Sequence, residues 1–275
     1  MKIGVIGTGN LATAVIGGSV KSGCFSGESF LVYDLFADKA RETCEKFGTS
    51  AAQSAQQIAE VCDVVILAVK PKDFEALLAS VSPSLQVRDP LIVSVAAGLS
   101  LRVLASYLPY EAKLARLMTN INASVGGAMT AYCFGDRVTD AEKVFVAQFC
   151  RSFGDATELS EDLFAQFGVL AGCVPAFAYK FVDEIARAGV AIGVRKDLAL
   201  RIAAQTVLGS AQRAALGDAH PYDLIDRVCT PAGTTIDGMM QLDACGFSDA
   251  VHKAVVSSFD KDRKLAKAKE DESKK

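Results

Sequence analysis

The chain has 275 residues, 51% of them hydrophobic and 22% charged, which is material for a large core in one or two domains and excludes a disordered, collagen-like or coiled-coil chain. Its formal net charge of -3 at pH 7 and pI near 5.5 argue against a nucleic-acid partner, whose footprint on a protein is basic. The longest unbroken apolar run, Val64 to Val69, is far short of the roughly 18 to 20 residues that cross a bilayer, so no membrane is expected either.

Taken in chain order, the first half alternates short β-type runs with helical patterns. Strands are expected at Ile3–Ile6, Phe30–Tyr33, Val64–Val69, Leu91–Val95 and Leu114–Met118. Between them lie helical patterns at Leu11–Lys21, Asp38–Phe47, Ala55–Val61, Asp73–Val81 and Leu101–Leu108. VVILAV and LIVSVAA are apolar without alternation, as strands of a parallel sheet covered on both faces are. Ala128–Phe134 and Ala156–Leu159 are β-like pieces flanking a helix from about Thr139 to Phe153, placed to extend the sheet at its edge. The opening MKIGVIGTGN enters its first strand at once, without the charged and apolar regions of a signal peptide, and a cytoplasmic protein is expected.

Beyond Asp162 the strand signal stops. Helices are expected at Leu163–Leu170, Pro175–Gly189, Lys196–Leu216, Pro221–Cys229, Thr234–Cys245 and from Asp249 on. ALRIAAQTVLGSAQRAAL carries apolar or small residues around more than one face, which so small a domain could hardly bury alone, and a helical dimer interface is the simplest remedy. The expected organisation is a doubly wound α/β domain over 1–162 and an all-helical dimerisation domain over 163–275. The latter ends in a densely charged tail, disordered from about residue 264.

Eight cysteines, at 24, 44, 62, 133, 150, 173, 229 and 245, form no CxxC pair, and the histidines are only His220 and His252. No metal site and no Ser-His-Asp or Cys-His chemistry has material here, so the chemistry is expected to come from a bound cofactor. Gly7-Thr8-Gly9-Asn10-Leu11-Ala12 follows a strand and opens a helix, matching G-x-G-x-x-G/A in the context that the dinucleotide fingerprint requires. Gly7 allows the tight turn, Gly9 a close approach to the pyrophosphate, and Ala12 close packing of helix on strand, with the pyrophosphate on the helix N-terminal amides. Asp34 ends the second strand about 20 residues further on, where an acid accepts hydrogen bonds from the adenosine ribose or else caps a helix. With no Arg or Lys before Lys39 to take a 2′-phosphate, NADH is preferred over NADPH. Ala68-Val69-Lys70-Pro71 and Ala96-Ala97-Gly98 follow the third and fourth strands, at the carboxyl edge where open α/β sheets bind ligands. Pro71 also suits a first helical turn. Pro231-Ala232-Gly233-Thr234-Thr235 before an apolar helix reads as a helix N-terminus, hence either an anion site or an ordinary Thr cap.

The order of motifs resembles the pyrroline-5-carboxylate reductase family from Met1 to about Arg263. Besides the glycine fingerprint, the similar stretches are AVKP at 68–71, SVAAGLS at 94–100, RLMTN at 116–120, EDLFAQFGVLAGCVPAF at 161–177 and CTPAGTTIDGMMQLDACGF at 229–247. The resemblance implies an N-terminal Rossmann-like sheet and a C-terminal helical dimerisation domain. It implies reduction by NADH or NADPH of a small cyclic imino acid, 1-pyrroline-5-carboxylate, to L-proline, and a homodimer or larger ring of dimers. The substrate carboxylate would rest on the amides of Gly233, Thr234 and Thr235. The Thr235 hydroxyl would face the ring nitrogen, and Asn120 would help shape the pocket. Three departures from the family pattern cluster at that site: Ile121-Asn122 where Thr-Pro is usual, Cys173-Val174 within SGSGPAY, and Ala232 in SPGG. They point to a reductase of another cyclic imino acid or a non-catalytic dinucleotide-binding protein as the alternatives. Lys180 lies on a helix at a spacing unlike the catalytic lysine of β-hydroxyacid dehydrogenases and reads as a surface lysine.

Overall fold

The computed structural model describes residues 1–273, with side chains as far as residue 264. The chain runs β1 (Ile3–Ile6), α1 (Asn10–Lys21), β2 (Phe30–Tyr33), α2 (Ala37–Phe47), β3 (Ser50–Ala51), α3 (Ala55–Val61), β4 (Val64–Leu67), α4 (Phe74–Arg88) and β5 (Leu91–Ser94). It continues through α5 (Leu101–Ser106), β6 (Lys113–Met118), β7 (Ala128–Phe134), α6 (Asp140–Arg151) and β8 (Gly154–Glu158). The strands form one sheet in the order β3-β2-β1-β4-β5-β6-β7-β8. Every pairing is parallel except β6 with β7.

The unalternating apolar runs have the expected cause, because β1, β4 and β5 are buried at every position. Val5, Val32, Ile66 and Val93 face one way, into a core shared with Val15 of α1 and Phe149 of α6. Ile6, Leu31, Val65 and Ile92 face the other, against Ile58 of α3 and Leu78 and Leu85 of α4. The period-two alternation of a strand therefore delivers an apolar residue to both layers.

Two local differences from the sequence reading have physical reasons. Helix α4, expected to end at Val81, continues through Pro83 to Arg88. The carbonyl that Pro83 leaves without a donor belongs to Ala79, which is exposed and open to water. Strand β3, with only two residues, is too short to show a periodicity.

After β8 come α7 (Phe164–Gly168), a single π-helical turn (Val169–Cys173), α8 (Val174–Ala191), α9 (Lys196–Ala215), α10 (Pro221–Val228), α11 (Thr234–Ala244) and α12 (Phe247–Ser273). The chain divides into one unit of Met1–Gly172, grouped with the chain from Asp262 on, and a second of Cys173–Lys261. The structural boundary lies beyond Asp162 because the segment after β8 packs on the sheet. Phe164 joins Ala131 and Cys133 in a small core, with Leu159 and Phe167 against it. Over the charged tail expected from about residue 264, the backbone is helical to Ser273; residues 274–275 lie outside the described residues.

The second unit buries very little of its own surface. Its core cluster is Ala186, Ala199 and Ala203, with Val182 and Val194 against it. Ile192, Ile202, Leu208 and Met240 are 83, 51, 50 and 65% exposed. Counted as unbroken apolar residues, the chain has no segment that could cross a bilayer. Averaged over a helical window, however, Glu161–Ala191 is long and apolar enough by length and composition, because isolated residues such as Gln166 and Lys180 interrupt the run without outweighing it.

Candidate active site

At the carboxyl end of β1 the backbone turns through Gly7 with φ of 98°, in the left-handed region that glycine enters at little cost. Proximity forbids a side chain there as well, since a Cβ on Gly7 would stand 2.7 Å from the Ala68 carbonyl oxygen. Gly7 N–H donates to the Tyr33 carbonyl at 2.7 Å, so the turn is pinned between β2 and the end of β4. Gly9 is the N-cap of α1 and contributes no side chain. The first-turn amides of α1 are left for a ligand, and there is no acidic residue in that turn to compete with an anion. The space a Cβ on Gly9 would fill is open. A cavity of about 400 Å³ begins at Thr8, Gly9 and Asn10 and runs along α1 and α2 past Lys39 and Thr43. These features fit a dinucleotide pyrophosphate: close backbone, unpaired amides and room.

Asp34 follows β2 and turns its carboxylate back to that turn. Its Oδ2 accepts the Thr8 N–H at 2.7 Å and the Thr8 hydroxyl at 3.0 Å, and its Oδ1 accepts the Phe36 N–H at 3.0 Å. Burial alone would raise the carboxyl. The bonds from Thr8 and Phe36, with the charge of Lys39, outweigh it and hold the group below its ordinary value. Lys39, the first cation after Asp34 along the chain, is thus also near it in space. Its side chain lies within electrostatic reach of the carboxylate, with Nζ 5.1 Å from the Phe36 ring centroid.

The remaining expected cofactor residues lie on the same edge. Ala68, Val69 and Lys70 follow β4, and Pro71 opens a 3-10 turn, so helix initiation and edge position coincide. Ala96-Ala97-Gly98 follow β5, with Gly98 at φ of 77° and Ala97 and Gly98 exposed. The Ser94 hydroxyl accepts the Ala96 N–H at 3.2 Å and fixes the near end of this loop. Asn120 is 8% exposed. Its Nδ2 donates to the Ala171 carbonyl at 2.9 Å and its Oδ1 accepts the Asn122 N–H at 3.1 Å. It joins the segment after β6 to the π-helical turn, and its bonds are to the backbone of this chain.

The second expected site lies in the second unit. Gly233 N–H donates to the Thr230 carbonyl at 3.0 Å, closing a turn in which Pro231 is second and Ala232 third. The Gly233 amide therefore faces the turn, and the amides of Thr234 and Thr235 open α11 with no capping side chain. Both threonines are exposed. Ala232 adopts φ of 55°, the conformation for which a turn's third position favours glycine. Lys180 pairs with Glu184 on the surface of α8, as a helix-surface lysine does.

Three residues carry more than the sequence reading assigns them. Lys39 was noted only for its distance along the chain. Arg116 and Glu161 lie within motif stretches but had no role, although a charged residue inside an apolar strand, RLM, is itself a signal. Arg116 is 7% exposed and pairs with Glu161 at 2.8 Å. Among the described residues no group of three His, Cys, Asp or Glu side chains could hold a metal ion.

Comparison with known proteins bears on both units. Residues 161–265 match the family described as pyrroline-5-carboxylate reductase dimerisation. Residues 2–98 match the one described as NADP oxidoreductase, coenzyme F420-dependent. The pyrroline-5-carboxylate reductase of Escherichia coli (strain K12) is 36% identical over 267 residues, covering 97% of this chain and 99% of that protein. The solved 1-pyrroline-5-carboxylate reductase of Streptococcus pyogenes superposes with a TM-score of 0.82 at 35% identity, over 96% of this chain and 98% of that one. The pyrroline carboxylate reductase of Plasmodium falciparum, solved with NADP bound, superposes with a TM-score of 0.85 at 26% identity, over 97 and 98%.

Proposed function

The chain belongs to the pyrroline-5-carboxylate reductase family, and from that premise we propose that it reduces the cyclic imine 1-pyrroline-5-carboxylate to L-proline at the expense of a reduced nicotinamide dinucleotide, with NADH preferred. The observation that carries the reading is the Gly7 turn, closed over Ala68 and tied by Thr8 to Asp34, at the carboxyl edge of the sheet.

The dinucleotide, when bound, supplies hydride to the C=N carbon. The amides opening α1 receive its pyrophosphate, and Asp34 accepts the ribose hydroxyls on the lone pairs that Thr8 and Phe36 leave free. Ala68–Pro71 and Ala96–Gly98 border it. In the second unit the amides of Thr234 and Thr235 hold the substrate carboxylate, beside the Gly233 turn that sets their direction. The Thr235 hydroxyl hydrogen-bonds the ring nitrogen as the imine becomes an amine. No His, Asp or Glu of the matched motifs is assigned as a general acid, since a protonated imine or water supplies the second hydrogen.

Self-association accounts for the second unit, whose core of three alanines leaves Ile192, Ile202 and Leu208 exposed in the single chain. The same demand accounts for the apolar Glu161–Ala191 run. Sedimentation is expected to give a dimer or larger assembly, and a stable, fully active monomer would overturn it. All eight cysteines are free, which fits a reducing cytoplasm. The deciding experiment is steady-state consumption of NADH and NADPH with 1-pyrroline-5-carboxylate. Oxidation of neither cofactor, with binding intact, would leave a dinucleotide-binding protein in place of the reductase.

A further inference from the structure

Glu161 stands where three segments of the first unit meet. Its Oε1 accepts the backbone N–H of Leu101 at 2.8 Å and is 2.8 Å from Nη1 of Arg116. Leu101 opens α5, the short helix that follows the Ala96–Gly98 loop. Arg116 sits on β6, in register with Ser94 of β5 on one side and Cys133 of β7 on the other. Its guanidinium lies 4.6 Å from the Phe164 ring centroid, and its Nε is buried without a partner.

A guanidinium so enclosed stands only with its counter-charge. The pairing therefore draws Glu161 and the start of α5 toward one fixed point. Cys133, directly across the sheet from Arg116, has its thiol pushed up to about 12 by burial, with the Glu161 charge adding to the effect. Glu161 thus lies within electrostatic reach of a buried thiol as well as of the guanidinium.

The loop between β5 and α5 needs such an anchor. Ala97 and Gly98 are exposed, Gly98 has positive φ, and a six-residue helix has little stability of its own. Ser94 fixes the near end through Ala96, and Ser100 caps α5 through Val103. Both of those contacts are local. Glu161 fixes the far end from a distant part of the chain.

We propose that Glu161, paired with Arg116, is a positioning residue for the reduction, holding the start of α5 so that the Ala96–Gly98 loop is set in place along the dinucleotide. The proposal rests on the reading of that loop as part of the cofactor site. It separates a role in cofactor geometry from one in stability alone.

The test compares wild type with Glu161→Ala and Glu161→Gln, at a temperature where circular dichroism shows each variant folded. Dinucleotide affinity is read from NADH fluorescence, and kcat and both KM values from turnover of 1-pyrroline-5-carboxylate. Glu161→Ala is expected to weaken NADH binding and lower kcat by about 10- to 100-fold, the scale of a misplaced binding loop. KM for the imine should change by less than about twofold, because the second-unit amides are untouched. Glu161→Gln is expected to fall between, since its amide oxygen still accepts the Leu101 N–H but cannot neutralise Arg116. If Glu161→Ala does not fold, the Gln variant carries the same comparison. Wild-type NADH affinity and kcat in a folded variant would overturn the proposal, as would losses that only track the folded fraction. A wild-type chain that binds NADH but reduces no imine overturns the reaction, while the affinities still decide Glu161. One that binds no dinucleotide overturns both.

Discussion

Thr8 donates both its backbone N–H and its hydroxyl to the same carboxylate oxygen of Asp34, at 2.7 and 3.0 Å. The acid at the end of β2 is therefore a structural member of the glycine turn, and the ribose role proposed for it must be met from that fixed position. Its negative charge is held in one place beside the turn, with Lys39 near it.

The first expected outcome is a preference for NADH. A 2′-phosphate near Asp34 meets a fixed negative charge in a partly desolvated cleft, and Lys39 neutralises it only in part. In wild type kcat/KM should be higher with NADH than with NADPH. Asp34→Ser should lower the NADH-to-NADPH ratio by about tenfold, equivalent to about 1.4 kcal/mol, by removing the charge and releasing Lys39 toward the phosphate. Adding Lys39→Ala to that variant should reduce NADPH use again. A wild-type chain more efficient with NADPH would show that Asp34 serves the turn and not the ribose.

The same bonds make Asp34 a source of acid sensitivity. Its folded value lies below the ordinary 3.8, so the group stabilises the fold fully above that value. The contribution disappears as pH falls through 3.8 toward the folded value, because the unfolded chain then binds the proton first. Urea unfolding of wild type and Asp34→Asn between pH 6 and about 3 should show a stability difference that is constant at the upper end and shrinks at the lower. A difference that grows on acidification would contradict the direction.

How much was legible in the sequence follows from the range of the interactions. The parallel core announced itself because Val5, Val65 and Ile92 are apolar for a local reason, burial on both faces. Gly7 was legible because the turn's conformation is local too. The reversal between β6 and β7 was not, and Asn120, which caps the turn between them, also bonds Ala171, far along the chain. Arg116 stands out as a charge in an apolar strand, but its partner was not legible, as Glu161 lies 45 residues away. The second unit's helices were readable from small and apolar residues, whereas which of their faces are covered is not a local property.

Ala232 offers a test of the turn before α11. At φ of 55° an alanine carries the left-handed penalty that glycine escapes, about 1 to 2 kcal/mol, partly offset by the greater freedom glycine has when unfolded. Ala232→Gly should therefore raise stability by about 0.5 to 1 kcal/mol, measured by urea unfolding, without loss of turnover. Destabilisation would mean that the alanine methyl makes a contact that outweighs its backbone strain.

The last expectation concerns Thr235, the second residue of α11, whose amide makes no capping bond and whose side chain is exposed. An exposed threonine with no partner contributes little to stability, so its removal isolates whatever it does for substrate. If its hydroxyl meets the ring nitrogen as the imine becomes an amine, Thr235→Ala loses one hydrogen bond to a charged partner. Such a bond contributes about 1.5 to 3 kcal/mol, which predicts a 10- to 100-fold fall in kcat/KM for 1-pyrroline-5-carboxylate. NADH affinity and the melting temperature should stay within error, because neither the Gly7 turn nor the core is touched. Thr235→Ser, which keeps the hydroxyl, should recover most of the activity, and Thr234→Ala should raise KM less, since its contribution is through the amide that alanine retains. Unaltered turnover in Thr235→Ala would remove the hydroxyl from the reaction and leave the α11 amides as the only function of that helix start.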